Sequence, residues 1–254
     1  MNITVKSEQE IDLMRTAGRI VAEVLEIVSK HVRPGMLTGE LDTIAEKEAR
    51  RLGGIPSFKG YRGYPASLCA SVNDEIVHGI PGKRMLHEGD IVSLDFGTIY
   101  MGYQGDAAIT VGVGQISPAA KRLIENTQRA LQAGIGAAVD GARLGDVSAA
   151  IQRYAEVRGF SVIREYTGHG IGREMHEDPL VPNFGTPRTG PPLKKGMTLA
   201  IEPMLTTGDW HTRLGSDQWT VYTINGNLAA HFEHTIAITD GQAEILTIRE
   251  GSHA

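Results

Sequence analysis

Apolar residues recur at three- and four-residue steps through Ile11, Met14, Val21, Leu25 and Val28, with a gap at Gly18, until Pro34-Gly35 stops the run. That period marks one face of an amphipathic helix. Ser7, followed three residues later by Glu10, forms a capping box at its start. Thr38 is placed to cap a second helix through Leu41, Ile44, Ala45 and Ala49, which Gly53-Gly54 ends. Two further helical stretches cover about 117–138 and 145–157, with Gly159 as the C-terminal stop.

Short apolar runs fill the remainder and read as strands. Ile91 to Phe96 and Ala107 to Val113 flank a Gly/Tyr turn region, while 197–201 and 236–238 are apolar throughout. Residues 219–224, then Asn225-Gly226, then 228–238 read as a hairpin, because Asn-Gly supplies the positive φ angles of a type I′ turn. The order helix, helix, strands occurs twice and points to a duplicated αβ unit. No low-complexity linker divides the chain, so the pattern predicts one α+β domain with antiparallel strands over residues 1–254.

Composition narrows the class. The chain has 254 residues with 41% hydrophobic and 22% charged positions, which excludes disorder, collagen and a disulfide scaffold. Its net charge of −5 argues against a general nucleic-acid binder, so no DNA partner is expected. The single cysteine, Cys69, makes no internal bridge and fits a reducing compartment. Residues 1–15 hold no apolar h-region, and no uncharged apolar run reaches about 18 residues. A cytoplasmic protein that does not enter the membrane is expected. Glycine is over-represented at 31 residues, which calls for tight turns or close backbone approaches.

Acids and histidines stand where structural economy would not put them. Asp95 interrupts the apolar run 91–96, and Asp106 follows eleven residues later on the facing arm. Glu202 and Glu233 lie in two further apolar segments. Either Asp alone reads more readily as a turn cap or salt-bridge partner, and either Glu alone as an edge-strand acid facing water. Four together are hard to explain that way, since buried acids are almost never unpaired. His169 stands between Gly168 and Gly170, with His176 seven residues on, and His78 precedes Gly79. His31, His87, His211 and His253 have no such context and read as structural or solvated.

No P-loop, H-E-x-x-H, G-x-G-x-x-G or G-x-S-x-G motif is present. Cys69 has no basic neighbour and reads as a small buried hydrophobe. Two Asp, two Glu and one His form an oxygen-rich set, suited to Mn²⁺, Fe²⁺ or Co²⁺ rather than a thiolate zinc site. Five ligands exceed the needs of one ion with an open position and fit two ions about 3.5–4 Å apart.

In combination, His78-Gly-Ile-Pro, Ser93-Leu-Asp-Phe-Gly, Gly105-Asp106-Ala, Thr167-Gly-His-Gly-Ile-Gly, Ile201-Glu-Pro-Met and Phe232-Glu-His-Thr resemble the type I methionine aminopeptidases. These are metallopeptidases of the pita-bread fold, an antiparallel curved sheet covered by helices with an internal pseudo-twofold repeat. The resemblance implies that Asp95, Asp106, His169, Glu202 and Glu233 are metal ligands for two divalent ions (Co²⁺, Mn²⁺, Fe²⁺ or Zn²⁺). It implies that His78 and His176 are catalytic, with Glu202 as general base and acid. It further implies a methionine pocket from Phe58, Tyr61, Tyr64, Cys69, Met175 and Trp219. Met175 stands where many relatives carry an aromatic residue and Phe58 is bulkier than usual, differences that bear on pocket shape rather than on the reaction.

The implied activity is removal of the initiator methionine from peptides and nascent chains when the second residue is small and uncharged. A monomer is expected, with Lys194-Lys195 and Arg50-Arg51 as solvated faces or a transient ribosome contact. Two other readings share the architecture: an Xaa-Pro dipeptidase, and a non-enzymatic binding module that has lost its ligands.

Overall fold

The computed structural model describes residues 2–248; His253 lies outside the described residues. Among the described residues four α-helices form: α1 (Glu8–His31), α2 (Thr38–Arg51), α3 (Pro118–Ala137) and α4 (Leu144–Glu156). The capping box at α1 is present, with the Glu10 carboxylate accepting the Ser7 N–H at 2.9 Å. At α2 the expected cap is displaced by one residue. Leu37 occupies the N-cap and its N–H is accepted by Glu40 at 2.8 Å. The Thr38 hydroxyl is drawn away because it accepts the N–H of Gly82 at 2.9 Å, a partner 44 residues distant.

The gap at Gly18 in the α1 pattern has a steric cause. A Cβ there would lie 2.2 Å from the carbonyl oxygen of Leu246, and one at Gly105 would lie 2.8 Å from the Gly18 nitrogen. Helix and strand therefore touch backbone to backbone, as close as two elements can pack.

Among the described residues the main sheet has nine strands, all paired antiparallel. Its backbone is the hairpin Ile91–Tyr100 with Tyr103–Gly112, closed by Met101 (φ 49°) and Gly102 (φ 82°), the type I′ combination. Beyond it lie Glu233–Ala237, Thr198–Ile201, Gly168–Gly170 and Glu177–Val181 in that spatial order.

Strand residues alternate between faces. Leu94 and Phe96 pack with Val24 and Leu41 of α1 and α2. Leu199, Ile201 and Ile236 pack with Leu131 and Ile151 of α3 and α4. Each helix pair thus covers one half of the sheet, as the duplicated unit predicts. The other face is left to the alternate residues, which include Asp95, Ala200 and Glu233.

The hairpin expected over 219–238 does not form. Val221–Thr223 pairs with Thr212–Leu214 and with Glu75–Val77, whereas Ala229–His231 pairs with Met204–Thr206. The Asn225-Gly226 bend itself is present, with Gly226 at φ 70° and the Thr223 hydroxyl donating to the Asn227 carbonyl at 2.9 Å. Turn chemistry fixed the bend, but each arm met a better mate from distant sequence. Among the described residues no helix is long and apolar enough to cross a membrane.

Candidate active site and metal centre

Sheet register alone gathers the acids. Ala108 lies opposite Asp95 on one side and opposite Glu233 on the other. Directly paired residues of neighbouring strands share a face. Asp106, two residues from Ala108, projects to the same face. Ala200 repeats the device, lying between Thr235 and His169, with Glu202 two residues on. Two alanines thus form a low floor around which four carboxylates and an imidazole converge. Thr235 locks the two halves together: its hydroxyl donates to the Asp106 carbonyl at 2.8 Å and accepts the Asp106 N–H at 3.0 Å.

His169 is aimed by its flanking glycines. A Cβ at Gly168 would stand 2.3 Å from the Ala200 carbonyl oxygen, and one at Gly170 would stand 2.2 Å from that of Asp178. The His169 Nδ1 lies 2.9 Å from the Gly170 carbonyl oxygen, which can only accept, so Nδ1 carries the proton. Nε2 is left with its lone pair directed at the acids, 3.6 Å from Glu202 Oε1. Donor atoms of Asp106, His169 and Glu233 all fall within 4.8 Å of one another.

The cluster is electrostatically incomplete as protein alone. Asp95 Oδ1, Asp106 Oδ1 and Glu233 Oε1 are buried without a hydrogen-bond partner among the described residues. Burial pushes the Asp106 carboxyl up to about 7. Burial, reinforced by the charge of Asp106, drives Asp95, Glu202 and Glu233 well above the usual carboxylate range. The His169 imidazole is held down to about 3 by burial and by His176, so it stays neutral. Orphaned carboxylate oxygens beside a neutral imidazole lone pair are the donor set that a hard or borderline divalent cation satisfies.

A cavity of about 300 Å³ opens over this floor, and every site residue expected from the sequence lines it. His176 stands at its mouth, with Nδ1 2.8 Å from the Tyr61 hydroxyl and its ring 4.3 Å from that of His169. Partial desolvation and the Arg62 charge push its pKa down, while burial and His176 hold His78 down to about 4. Both imidazoles are therefore neutral near pH 7. His78 adopts φ 60° and meets Tyr166 edge-on at 6.0 Å.

The apolar end is aromatic and sulfur-rich. Tyr64 meets Trp219 edge-on at 5.1 Å and Phe58 at 6.5 Å. Cys69 pairs with Asp95 across the sheet, and burial raises its thiol, which makes it an inert filler. Met175 is buried, with its Cε 2.9 Å from where a Gly97 Cβ would be.

Sequence reading missed Arg62, Glu165, Tyr166 and Leu180 at the cavity wall. It also missed His231, whose Nε2 lies 3.8 Å from both Glu202 and Glu233. The signal for His231 was available: it stands two residues before Glu233 on an extended chain, the spacing that puts both on one side.

Comparison with known proteins agrees with this geometry. Residues 12–240 match the model of metallopeptidase family M24. The chain is 52% identical over 249 residues to a methionine aminopeptidase of Clostridium acetobutylicum, covering 98% of this chain and all of that one. A crystal structure of methionine aminopeptidase from Thermotoga maritima superposes with a TM-score of 0.96 at 48% identity, over 98% of this chain and 100% of that one. An Xaa-Pro dipeptidase from Bacillus anthracis shares the fold alone, with a TM-score of 0.79 at 24% identity, and this chain covers 63% of its length. The chain belongs to metallopeptidase family M24 and, within it, to the methionine aminopeptidases.

Proposed function

We propose that this chain hydrolyses the peptide bond after an N-terminal methionine, acting on peptides and nascent chains whose second residue is small and uncharged. The observation that carries the reading is the adjacency of a carboxylate-imidazole floor to an aromatic, sulfur-lined slot within one cavity. Asp95, Asp106, His169, Glu202 and Glu233 would hold two divalent ions, of Co²⁺, Mn²⁺, Fe²⁺ or Zn²⁺. Such ions, when bound, supply Lewis acidity and a water acidified to near neutrality.

The protein's own groups do the rest. Tyr64, Trp219, Cys69, Phe58 and Met175 hold the methionine side chain, with sulfur–aromatic contacts favouring it over shorter aliphatics. Glu202 accepts a proton from the attacking water and returns it to the leaving amine. With Tyr61 donating to Nδ1, the neutral His176 keeps its proton on Nε2 and donates it to the developing oxyanion. His78 hydrogen-bonds the scissile amide and, with the crowded wall around it, restricts the second residue to small side chains.

Residues 1–254 act as one catalytic domain, working as a monomer. The buried free thiol of Cys69 fits a cytoplasmic location. A transient ribosome contact through Lys194-Lys195 or Arg50-Arg51 has a weak basis, since Lys195, Arg50 and Arg51 are ion-paired with Asp240, Glu46 and Glu48.

The test is release of methionine from Met-Ala-Ser with Mn²⁺ or Co²⁺ supplied. Asp95→Asn and Glu202→Gln should each abolish turnover with the fold intact; near-normal turnover in either, fully metal-loaded, refutes the assignment. Faster cleavage of an Xaa-Pro dipeptide would move the protein to the dipeptidases.

A further inference from the structure

His231 is a buried imidazole that the reaction scheme leaves without a task. It ends the Ala229–His231 strand, is 1% exposed, and neither ring nitrogen has a hydrogen-bond partner among the described residues. Polar groups so deeply buried are almost always satisfied, so this one calls for an explanation.

Its position is set firmly by the backbone. The His231 N–H donates to Thr110 Oγ1 at 2.9 Å, and its carbonyl accepts the Thr110 hydroxyl at 2.7 Å. Thr110 is itself hydrogen-bonded to Ser93 at 2.8 Å. The ring is thereby fixed against the metal floor, with Nε2 equidistant, at 3.8 Å, from Glu202 Oε2 and Glu233 Oε2. A rotation of either carboxylate by less than 1 Å at the oxygen reaches hydrogen-bond range.

We propose that His231 is a positioning residue for the metal centre: its Nε2–H holds the outer oxygens of Glu202 and Glu233 and keeps both carboxylates in ligating orientation. The inference rests on the metal-centre reading above. Donors behind metal ligands fix ligand orientation, and losing one typically costs 10–100-fold in metal affinity. A purely space-filling role predicts something different. An apolar residue of similar volume would then serve as well, and the imidazole's nitrogens would matter to nothing.

The experiment titrates Mn²⁺ into chelator-treated protein by calorimetry and records apo thermal midpoints alongside. His231→Leu should weaken Mn²⁺ binding about 10–100-fold while leaving the apo midpoint unchanged or raised, because an unsatisfied buried polar group has been removed. His231→Gln keeps an N–H donor and should restore affinity to within a few fold. His231→Met, which also lacks a donor, carries the same expectation as His231→Leu if the latter does not fold. The Co²⁺ absorption bands of the donor-less variants should shift as the carboxylates reorient. Wild-type affinity in His231→Leu overturns the proposal, as does equal loss in His231→Gln together with a lowered apo midpoint. Failure of the wild type itself to bind Mn²⁺ would instead remove the metal-centre reading.

Discussion

Replacing Asp106 by Asn should stabilise the metal-free protein near neutral pH and remove its stabilisation by metal. The Asp106 carboxyl is raised from 3.8 to about 7 in the folded chain. Folded protein therefore binds this proton more tightly than unfolded protein, so the associated stability is complete below about pH 4 and is lost as pH rises through about 7. A shift of about 3 units at 1.36 kcal/mol each makes the cost at pH 7.5 about 4 kcal/mol. Asn cannot ionise, so this cost disappears, and its amide can donate to the neighbouring acids. The charge of Asp106 also raises Asp95, Glu202 and Glu233, which its removal relieves.

For a chain of this size about 4 kcal/mol corresponds to roughly 8–16 °C in midpoint. Thermal melts in chelator at about pH 5 and pH 7.5 provide the measurement. The buried histidines, held down to about 3–4, gain stability over the same interval in both proteins, so the difference between them isolates Asp106. The variant's advantage over wild type should be larger at about pH 7.5 than at about pH 5. Adding Mn²⁺ should raise the wild-type midpoint and leave the variant nearly unchanged. A variant no more stable than wild type at pH 7.5 in chelator, or an advantage that does not grow between pH 5 and pH 7.5, refutes the reasoning.

Three further outcomes can be checked. His176→Ala should lower kcat about 10²–10³-fold with little change in KM, the signature of a group engaged in the transition state; a KM effect alone would reduce it to a binding contact. Lys6 and Glu177 form a largely but not fully buried ion pair at 2.6 Å, and Glu177 also accepts the N–H groups of Arg173 and Glu174, which precede His176. Lys6→Met should therefore cost about 3 kcal/mol of stability in urea unfolding and lower kcat by loosening the His176 loop; an unchanged midpoint would count against it. Gly170→Ala would put a methyl 2.2 Å from the Asp178 carbonyl, so a loss of about 3 kcal/mol and weakened metal binding are expected from melts and calorimetry.

Much of the candidate site was legible because its signals are local. A carboxylate inside an apolar run, as at Asp95, and a histidine between glycines, as at His169, are costly anywhere and so announce a task. The helices were legible for the same reason: Ser7 and Glu10 close a box within one turn, and Gly159 takes a positive φ at the end of α4. The excess glycine has a physical use at Gly18, Gly105, Gly168 and Gly170, where main chain meets main chain too closely for a Cβ. His231 escaped although its i+2 spacing to Glu233 was there to be read, because the second acid it faces, Glu202, comes from a distant segment.

What the amino-acid order determined by itself was the inventory: which segments coil, which extend, where the chain bends, and which groups cannot be comfortably buried alone. Those follow from hydrogen bonds and sterics within a few residues. What only the tertiary structure decided was pairing. It gave the arms around Asn225-Gly226 to different sheets, moved the α2 cap from Thr38 to Leu37, and set Asp95 and Glu233 on either side of Ala108. Register is chosen by the burial available across the whole sheet, a sum over residues far apart in sequence, and no local window contains it.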